Sequence, residues 1–509
     1  MSFHSVLRSH PETPIETQAA PAYFRDLNLD QIVATLTAGR QDYNLAPFFQ
    51  TPLHNPREVA YRQAVMRDLR SAERHDAVAH FADAMRIVRE NLTQAGKLYY
   101  RYQKEAALLD AIDRYCSAVA RLSERLLAAP PQSEGLAGFT EYLADYRNSP
   151  AFAELTDGVA SVREKLASIT YTLLIGGSVI TVADYDDEPD YQAEIETDFS
   201  KFQQGAADDF AFKFADFGQM NHIEAAVLDR VARLHEDIFA AFDAFAVAHE
   251  EFVDPVIAAV DREFQFYMAY IGHMRSLESA GLTFCYPAVS ESDKTERVAG
   301  GYDLALAKAL VEHKAPVITN DFHLDGHERI LIVSGPNQGG KTTFARMFGQ
   351  LHYLAALGCP TPASEAKLLL FDGLYAHFER GEDIHNLRGK LRDDLYRMHE
   401  TLKQVTPRSL VILNEVFSST SLSDAIFLSS QVLKTIVERD ALCVCVTFID
   451  ELAELSDTIV SMASQVMPGN MAERTFKVVR QPPNGLAYAM SIADKYRLTY
   501  EQLRERLAS

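Results

Sequence analysis

Apolar residues recur at three- and four-residue steps over most of residues 24 to 165, the period of amphipathic helices. "REVAYRQAVMRDLRSA" opens just after Asn55-Pro56, a helix-start signal. "RYQKEAALLDAIDRYCSAVARLSERLLAA" predicts a long helix that stops before Pro130-Pro131, and the glycines of "QSEGLAGF" mark a break before another. The texture then changes. "ITYTLLIGGSVITVADY" predicts two short strands joined at Gly176-Gly177. From about residue 222 the helical period returns, and Ile257, Val260, Phe264, Tyr267, Ile271 and Met274 form a heptad-like seam. That seam suits a long helix packed along a neighbour, with Asp254 as its cap and Pro255 as its first residue.

After "AGLTFCYP" strands alternate with helices to the end. Strands are predicted at "RILIVS", "KLLLF", "SLVILN" and "LCVCVTF", and helices between them imply a mostly parallel sheet. The expected architecture is a helical front (residues 23–284) with a small β insertion near 170–215, followed by an α/β domain (residues 285–509). Residues 1–22, with three prolines and little apolar pattern, are expected to form a loose arm.

Composition adds limits. At 509 residues the chain has room for two to four domains, and 47% hydrophobic with 24% charged residues are globular values. No apolar run approaches a membrane span, and the start lacks a secretory core, so a cytoplasmic protein is expected. The five cysteines form no CxxC pair, which fits a reduced compartment; Cys443 and Cys445, two apart on a strand, read as core packing. The net charge of −22 argues against coating nucleic acid, unless a local basic patch outweighs it. Arg57, Arg62, Arg67 and Arg70 are read as solvated charges. Asp184 to Asp209 holds ten acidic residues and the single Lys201, either a solvated loop or an acidic docking surface.

The chemistry is concentrated in "RILIVSGPNQGGKTTF": an apolar strand, then G-x-x-x-x-G-K-T, then a helix. This is the context of a P-loop. Gly335, Pro336, Asn337, Gln338, Gly339, Gly340, Lys341, Thr342 and Thr343 would cradle the phosphates of a nucleotide. Glycines let the backbone close on an anion, and the amides from Gly339 to Thr342 point at it with the positive end of the helix behind them. Lys341 reaches the β- and γ-phosphates, and the hydroxyl of Thr342 ligates Mg²⁺. The strand "SLVILN" supplies the next partners. Asn414 stands where an aspartate usually orients the metal's water shell, so it would act through water without contributing charge. Glu415 either polarises the attacking water as a general base or is a surface carboxylate at a strand end.

These residues resemble the MutS family of DNA mismatch-repair ATPases. The run from "VITNDFHL" through the Pro-Asn of the glycine loop to "LHYLAALGCPTPA" follows the family's pattern, and "SLVILNEVFSSTS" sits at its Asp-Glu segment. "VTFIDELAEL" matches a segment whose family version carries a histidine, and "GLAYAMSIADKYRLTYEQLRERL" resembles the closing helix. "TPLHNPREVAYRQAVMRDL" resembles, more loosely, the opening of the helical core. The resemblance implies an ABC-type ATPase domain that binds ATP and Mg²⁺, core and lever helices before it, and a homodimer with shared nucleotide pockets. The insertion near 170–215 falls where the family has its DNA clamp.

The departures carry equal weight. The segment with the family's mismatch-reading wedge is not found, so a chain truncated relative to the family is expected. Asn414 replaces the aspartate, Phe448 the histidine, and Gly389 the serine of the signature loop at "GEDIHNLRGKLRDDL". Arg388 or Lys390 would replace that serine as the contact to a partner's γ-phosphate, or is a surface cation. All three changes should slow hydrolysis more than binding. Two functions follow: a slow ATPase acting on unusual DNA structures through backbone contacts, or a nucleotide-switched scaffold whose partner is a protein. A transporter-type ATPase fits the loop less well.

Overall fold

In the computed structural model, the structure describes residues 3, 5–10, 19–186, 220–378, 390–467, 470–482 and 504. They divide into two compact units, one of Met1–His75, Pro131–Gly138 and Arg262–Ser509, the other of Asp76–Pro130 and Phe139–Asp261. The helical front is therefore not one block, because residues 23–75 fold with the carboxy-terminal part. In chain order the front contains α1 (Leu29–Thr37), α2 (Ala46–Gln50), α3 (Pro56–Leu69), α4 (Ala72–Ala95), α5 (Arg101–Ala128), α6 (Glu134–Arg147) and α7 (Pro150–Ala167). The hairpin β1 (Tyr171–Gly176) and β2 (Val179–Asp184) follows, then α8 (His222–Leu234), α9 (Glu236–Ala248) and α10 (Pro255–Glu278).

In the second unit α5 turns Leu109, Ile112, Tyr115, Val119, Leu122 and Leu126 inward, and α7 adds Phe152, Leu155 and Val159. Asp254 caps α10: its Oδ1 accepts from the Val256 and Ile257 amides at 3.0 Å, and Tyr142 donates to the same carboxylate at 2.9 Å. The hairpin pairs Tyr171 with Asp184 through to Gly176 with Val179. Its turn lies at Gly177-Ser178, where Gly177 has φ 63°.

Two expectations for the front need correction. The α10 seam is buried, but so are Glu263, Gln265 and Phe266 beside it, so the helix is enclosed rather than packed along one face. Hydrogen bonds make that tolerable: Glu263 accepts from Ser5 Oγ at 2.6 Å and from the Val6 amide at 2.8 Å. By the same contacts residues 5–9 are not a loose arm. Val6 and Leu7 are fully buried, and the buried Arg62 guanidinium donates to Leu7 O at 3.0 Å and Leu357 O at 3.1 Å. Arg62 is thus an internal strut, whereas Arg57, Arg67 and Arg70 are exposed.

The carboxy-terminal part contains β3 (Ala288–Ser290), β4 (Glu296–Gly301), α11 (Leu304–Glu312), β5 (Asn320–Leu324), β6 (Ile330–Ser334), α12 (Lys341–Ala356), β7 (Glu365–Leu369) and β8 (Leu374–Phe378). After them come α13 (Lys390–Gln404), β9 (Leu410–Asn414), α14 (Leu422–Glu438), β10 (Leu442–Val446), β11 (Ile459–Met467) and β12 (Asn470–Arg480). The larger sheet runs β12-β11-β6-β10-β9-β8, parallel except for the antiparallel edge strand β12. Every residue of β6, β9 and β10 is buried, as parallel strands covered on both faces must be. Cys443 and Cys445 lie in that core.

The strand expected at "KLLLF" does not join this sheet. Its residues mostly belong to β7, in a second sheet of order β3-β7-β4-β5, while "LYAHF" forms β8 at the edge of the larger one. Leu368 to Phe371 is buried throughout, so its apolar run has no face that could reveal which sheet it joins. The fold is mixed helix and sheet. No helix among the described residues is long and apolar enough to cross a membrane.

Candidate functional site

Strand β6 ends at Ser334, and the chain turns through residues 335–340 before α12 starts at Lys341. Gly335 (φ 115°) and Gly340 (φ 93°) take left-handed backbone that side chains rarely adopt. Gly339 is constrained differently, by space: a Cβ there would lie 2.0 Å from Ser464 Oγ on β11. Within the loop Pro336 is buried, while Asn337 and Gln338 are exposed. The first-turn amides of α12 lack carbonyl partners within the helix, so the loop presents donors and the positive end of a helix to one concave surface.

Lys341 is only 4% exposed. Its ammonium donates to Gly335 O at 3.0 Å and Pro336 O at 3.2 Å, and it lies 4.3 Å from the centroid of the Phe448 ring. Burial pulls this lysine below its usual value; Glu415 opposes that shift and Arg474 adds to it. A buried ammonium held by carbonyl oxygens and a ring face, and only partly compensated by Glu415, would gain from an anion entering the loop.

Across the loop, Thr342 donates its hydroxyl proton to Asn414 Oδ1 at 3.0 Å. That bond leaves the lone pairs of Thr342 Oγ1 available to a cation. Glu415 follows at the end of β9 with φ 54°, its amide donating to Val446 O at 2.9 Å. A cavity of about 250 Å³ joins these parts, lined by Gln338, Gly339, Lys341, Thr342, Glu415 and Phe476 among others. Among the described residues no three His, Cys, Asp or Glu side chains form a metal-holding group. A divalent ion here would depend on phosphate oxygens and water, as Mg²⁺ commonly does.

A second cavity of about 280 Å³ adjoins the first and shares Leu306, Gly340, Thr343 and Phe476 with it. Leu310, Pro316, Val317 and Ile318 make its wall apolar. Sequence reasoning missed these residues. Phe476 is the least legible: it sits on β12 with φ 58°, held by Asn320, whose Nδ2 donates to Phe476 O at 3.3 Å and whose Oδ1 accepts from Val478 N at 2.7 Å. Only folding brings residue 476 to residue 318. Arg388, Gly389, the closing segment from 485 apart from Arg504, and the acidic run from 187 lie outside the described residues, and of Lys390 only its place at the start of α13 is described.

Comparison with known proteins covers this region. The family model "MutS domain V" matches residues 331–496. An endonuclease MutS2 from Gemmatimonas aurantiaca is 26% identical over 297 residues, 57% of this chain and 33% of the relative. The DNA mismatch repair protein MutS of Thermus thermophilus is 33% identical over 147 residues, 29% of this chain and 18% of its own length. That of Thermotoga maritima is 23% identical over 325 residues, 62% and 38% respectively. The chain thus matches well under half the length of each of these relatives. Through the region that holds its glycine loop and the strands around it, the chain is similar to MutS proteins and matches their domain V.

Proposed function

We propose that the carboxy-terminal unit binds ATP with Mg²⁺, hydrolyses it slowly, and uses the cycle in a homodimer that acts on DNA. The observation that carries this is the convergence of the loop, Lys341, the Thr342–Asn414 pair and Glu415 on one cavity that opens into an apolar pocket. Glycine at 335 and 339 is a packing requirement as well, since Ser464 of β11 occupies the space that side chains there would need and so lets the loop seat closely on the sheet. The loop amides and Lys341 would hold the phosphates, Thr342 would ligate Mg²⁺ directly, and Asn414 would reach it through water. The apolar wall from Leu306 to Ile318, with Phe476, would hold the base. Bound Mg²⁺ supplies charge neutralisation; Glu415 takes up the proton of the attacking water.

Slow turnover follows from the residues that depart from the family. The Phe448 ring supplies no hydrogen bond toward a γ-phosphate, and Asn414 supplies no charge. Dimerisation is supported by exposed apolar groups: Leu422 and Phe427 on α14 and Phe448, which faces Lys341, are 68%, 62% and 53% exposed, more than a solitary surface favours. The second reading, a nucleotide-switched scaffold for a protein partner in the cytoplasm, is favoured by the net charge of −22. ATP turnover with and without duplex, mismatched and branched DNA separates the two. DNA-stimulated turnover lost in Lys341→Ala and Glu415→Ala supports the first; turnover indifferent to every DNA supports the second; turnover retained in Lys341→Ala overturns the site.

A further inference from the structure

In the second unit a groove of about 240 Å³ lies between α4 and α5, lined by His80, Asp83, Ala84, Arg114, Ser117 and Arg121 among others. Arg114 and Arg121 are exposed, and among the described residues neither meets a carboxylate. The groove's own acid is taken: Asp83 accepts from Arg86 Nε at 3.2 Å and Nη2 at 2.6 Å. Neighbouring acids are also engaged, Glu124 by Arg147 at 3.1 Å and Asp110 and Asp113 by Arg163 at 2.8 and 3.0 Å. Arg125, one turn beyond Arg121, leans toward His80 Nδ1 at 3.5 Å. In a chain of net charge −22 this row of guanidiniums without counter-ions stands apart.

We infer that this groove holds the phosphodiester backbone of nucleic acid, an interface that rests on the DNA reading above. Arg114, Arg121 and Arg125 are spaced by about 10 and 6 Å along the helix axis at 1.5 Å per residue, a linear array suited to a repeating anion. Guanidiniums fork onto phosphate oxygens, and the small side chains of Ala84 and Ser117 leave the groove open between them. An acidic peptide would need an apolar anchor as well. The apolar side chains beneath, Phe81 and Leu122, are only 2% and 1% exposed.

The test is fluorescence anisotropy of a labelled DNA duplex against salt, with the parent, Arg114→Gln/Arg121→Gln, the charge-preserving Arg114→Lys/Arg121→Lys, and Lys165→Gln, exposed on α7, as a control in the same unit. Losing two phosphate contacts should weaken binding roughly a hundredfold near 50 mM salt and lower the slope of log K on log salt by about 2. The lysine pair should keep the slope, and the control should match the parent. Parent and glutamine pair binding alike, with one slope, would overturn the groove and leave the DNA reading standing. A parent that binds no DNA even at low salt removes both. Competition by polyglutamate, with no effect of duplex, would assign the groove to an acidic protein segment and overturn the inference. Equal melting temperatures for all four proteins tie any loss to the groove; if the glutamine pair melts early, the slope difference between the lysine pair and single Arg121→Gln decides.

Discussion

Gly339→Ala isolates the steric demand of the loop. Gly339 does not adopt the left-handed backbone of Gly335 and Gly340, so alanine introduces no backbone strain, only a methyl group. That methyl would sit 2.0 Å from Ser464 Oγ and 3.0 Å from Pro336 O. Ser464 is fully buried on β11, a strand held between β6 and β12, so its hydroxyl can turn but its backbone and its Cβ, 3.2 Å from the added methyl, cannot step aside. The loop must therefore lift. Overpacking of this kind costs about 1–3 kcal/mol, which as lost affinity is about five- to 150-fold at 1.4 kcal/mol per decade. Ser464 Oγ itself is buried without a hydrogen-bond partner, so Ser464→Ala alone should stabilise the protein by about 1 kcal/mol. Combined, Gly339→Ala/Ser464→Ala should recover at least half of the lost nucleotide affinity, because the closest contact disappears while those near 3 Å remain. A labelled ATP analogue titrated into the four proteins gives the double-mutant cycle. Parent-like binding by Gly339→Ala, or strict additivity of the two changes, would refute the reasoning.

Phe448→His replaces the ring that caps Lys341 with a side chain able to donate a hydrogen bond toward phosphate; turnover should rise roughly ten- to a hundredfold with binding changed little, and unchanged turnover in a steady-state assay would show that Phe448 does not limit hydrolysis. Glu415→Gln should keep ATP binding while lowering turnover by roughly a hundredfold or more, so parallel losses in both, measured by titration and phosphate release, would argue for a structural role instead. Burial, with Lys308 adding to it, pushes the His273 imidazole down to about 4. Unfolded, it titrates near 6.5, so between about pH 6.5 and 4 the unfolded chain takes up a proton that the folded one refuses, and stability falls as pH falls, by at most about 3 kcal/mol. His273→Leu should flatten urea-measured stability across that window, and an unchanged pH profile would count against the assignment.

Much of the loop's local geometry was legible because it depends on consecutive residues. The apolar run Ile330–Ser334, the glycines and Lys341-Thr342 are consecutive, and strand, turn and helix N-terminus follow from their order. Asp254 as the cap of α10 and the hairpin at residues 171–184 were legible for the same reason. The arrangement of sheets was not, since buried apolar runs such as Leu368–Phe371 carry no side preference and a short turn at Asp372-Gly373 decides which sheet each half enters.

By itself, then, the sequence determined the identity and spacing of groups that act through neighbouring backbone: glycines where φ must be positive, a lysine and threonine at the start of a helix, carboxamide and carboxylate at a strand's end. Tertiary structure alone decided what those groups face. It set Ser464 beneath Gly339 and Phe448 against Lys341, and it brought Phe476 next to Ile318. It also buried Arg62 and Glu263 around residues 5–7. These contacts join residues tens to hundreds of positions apart, and no local pattern encodes them, because each depends on where parallel strands and the chain's ends settle once the core has closed.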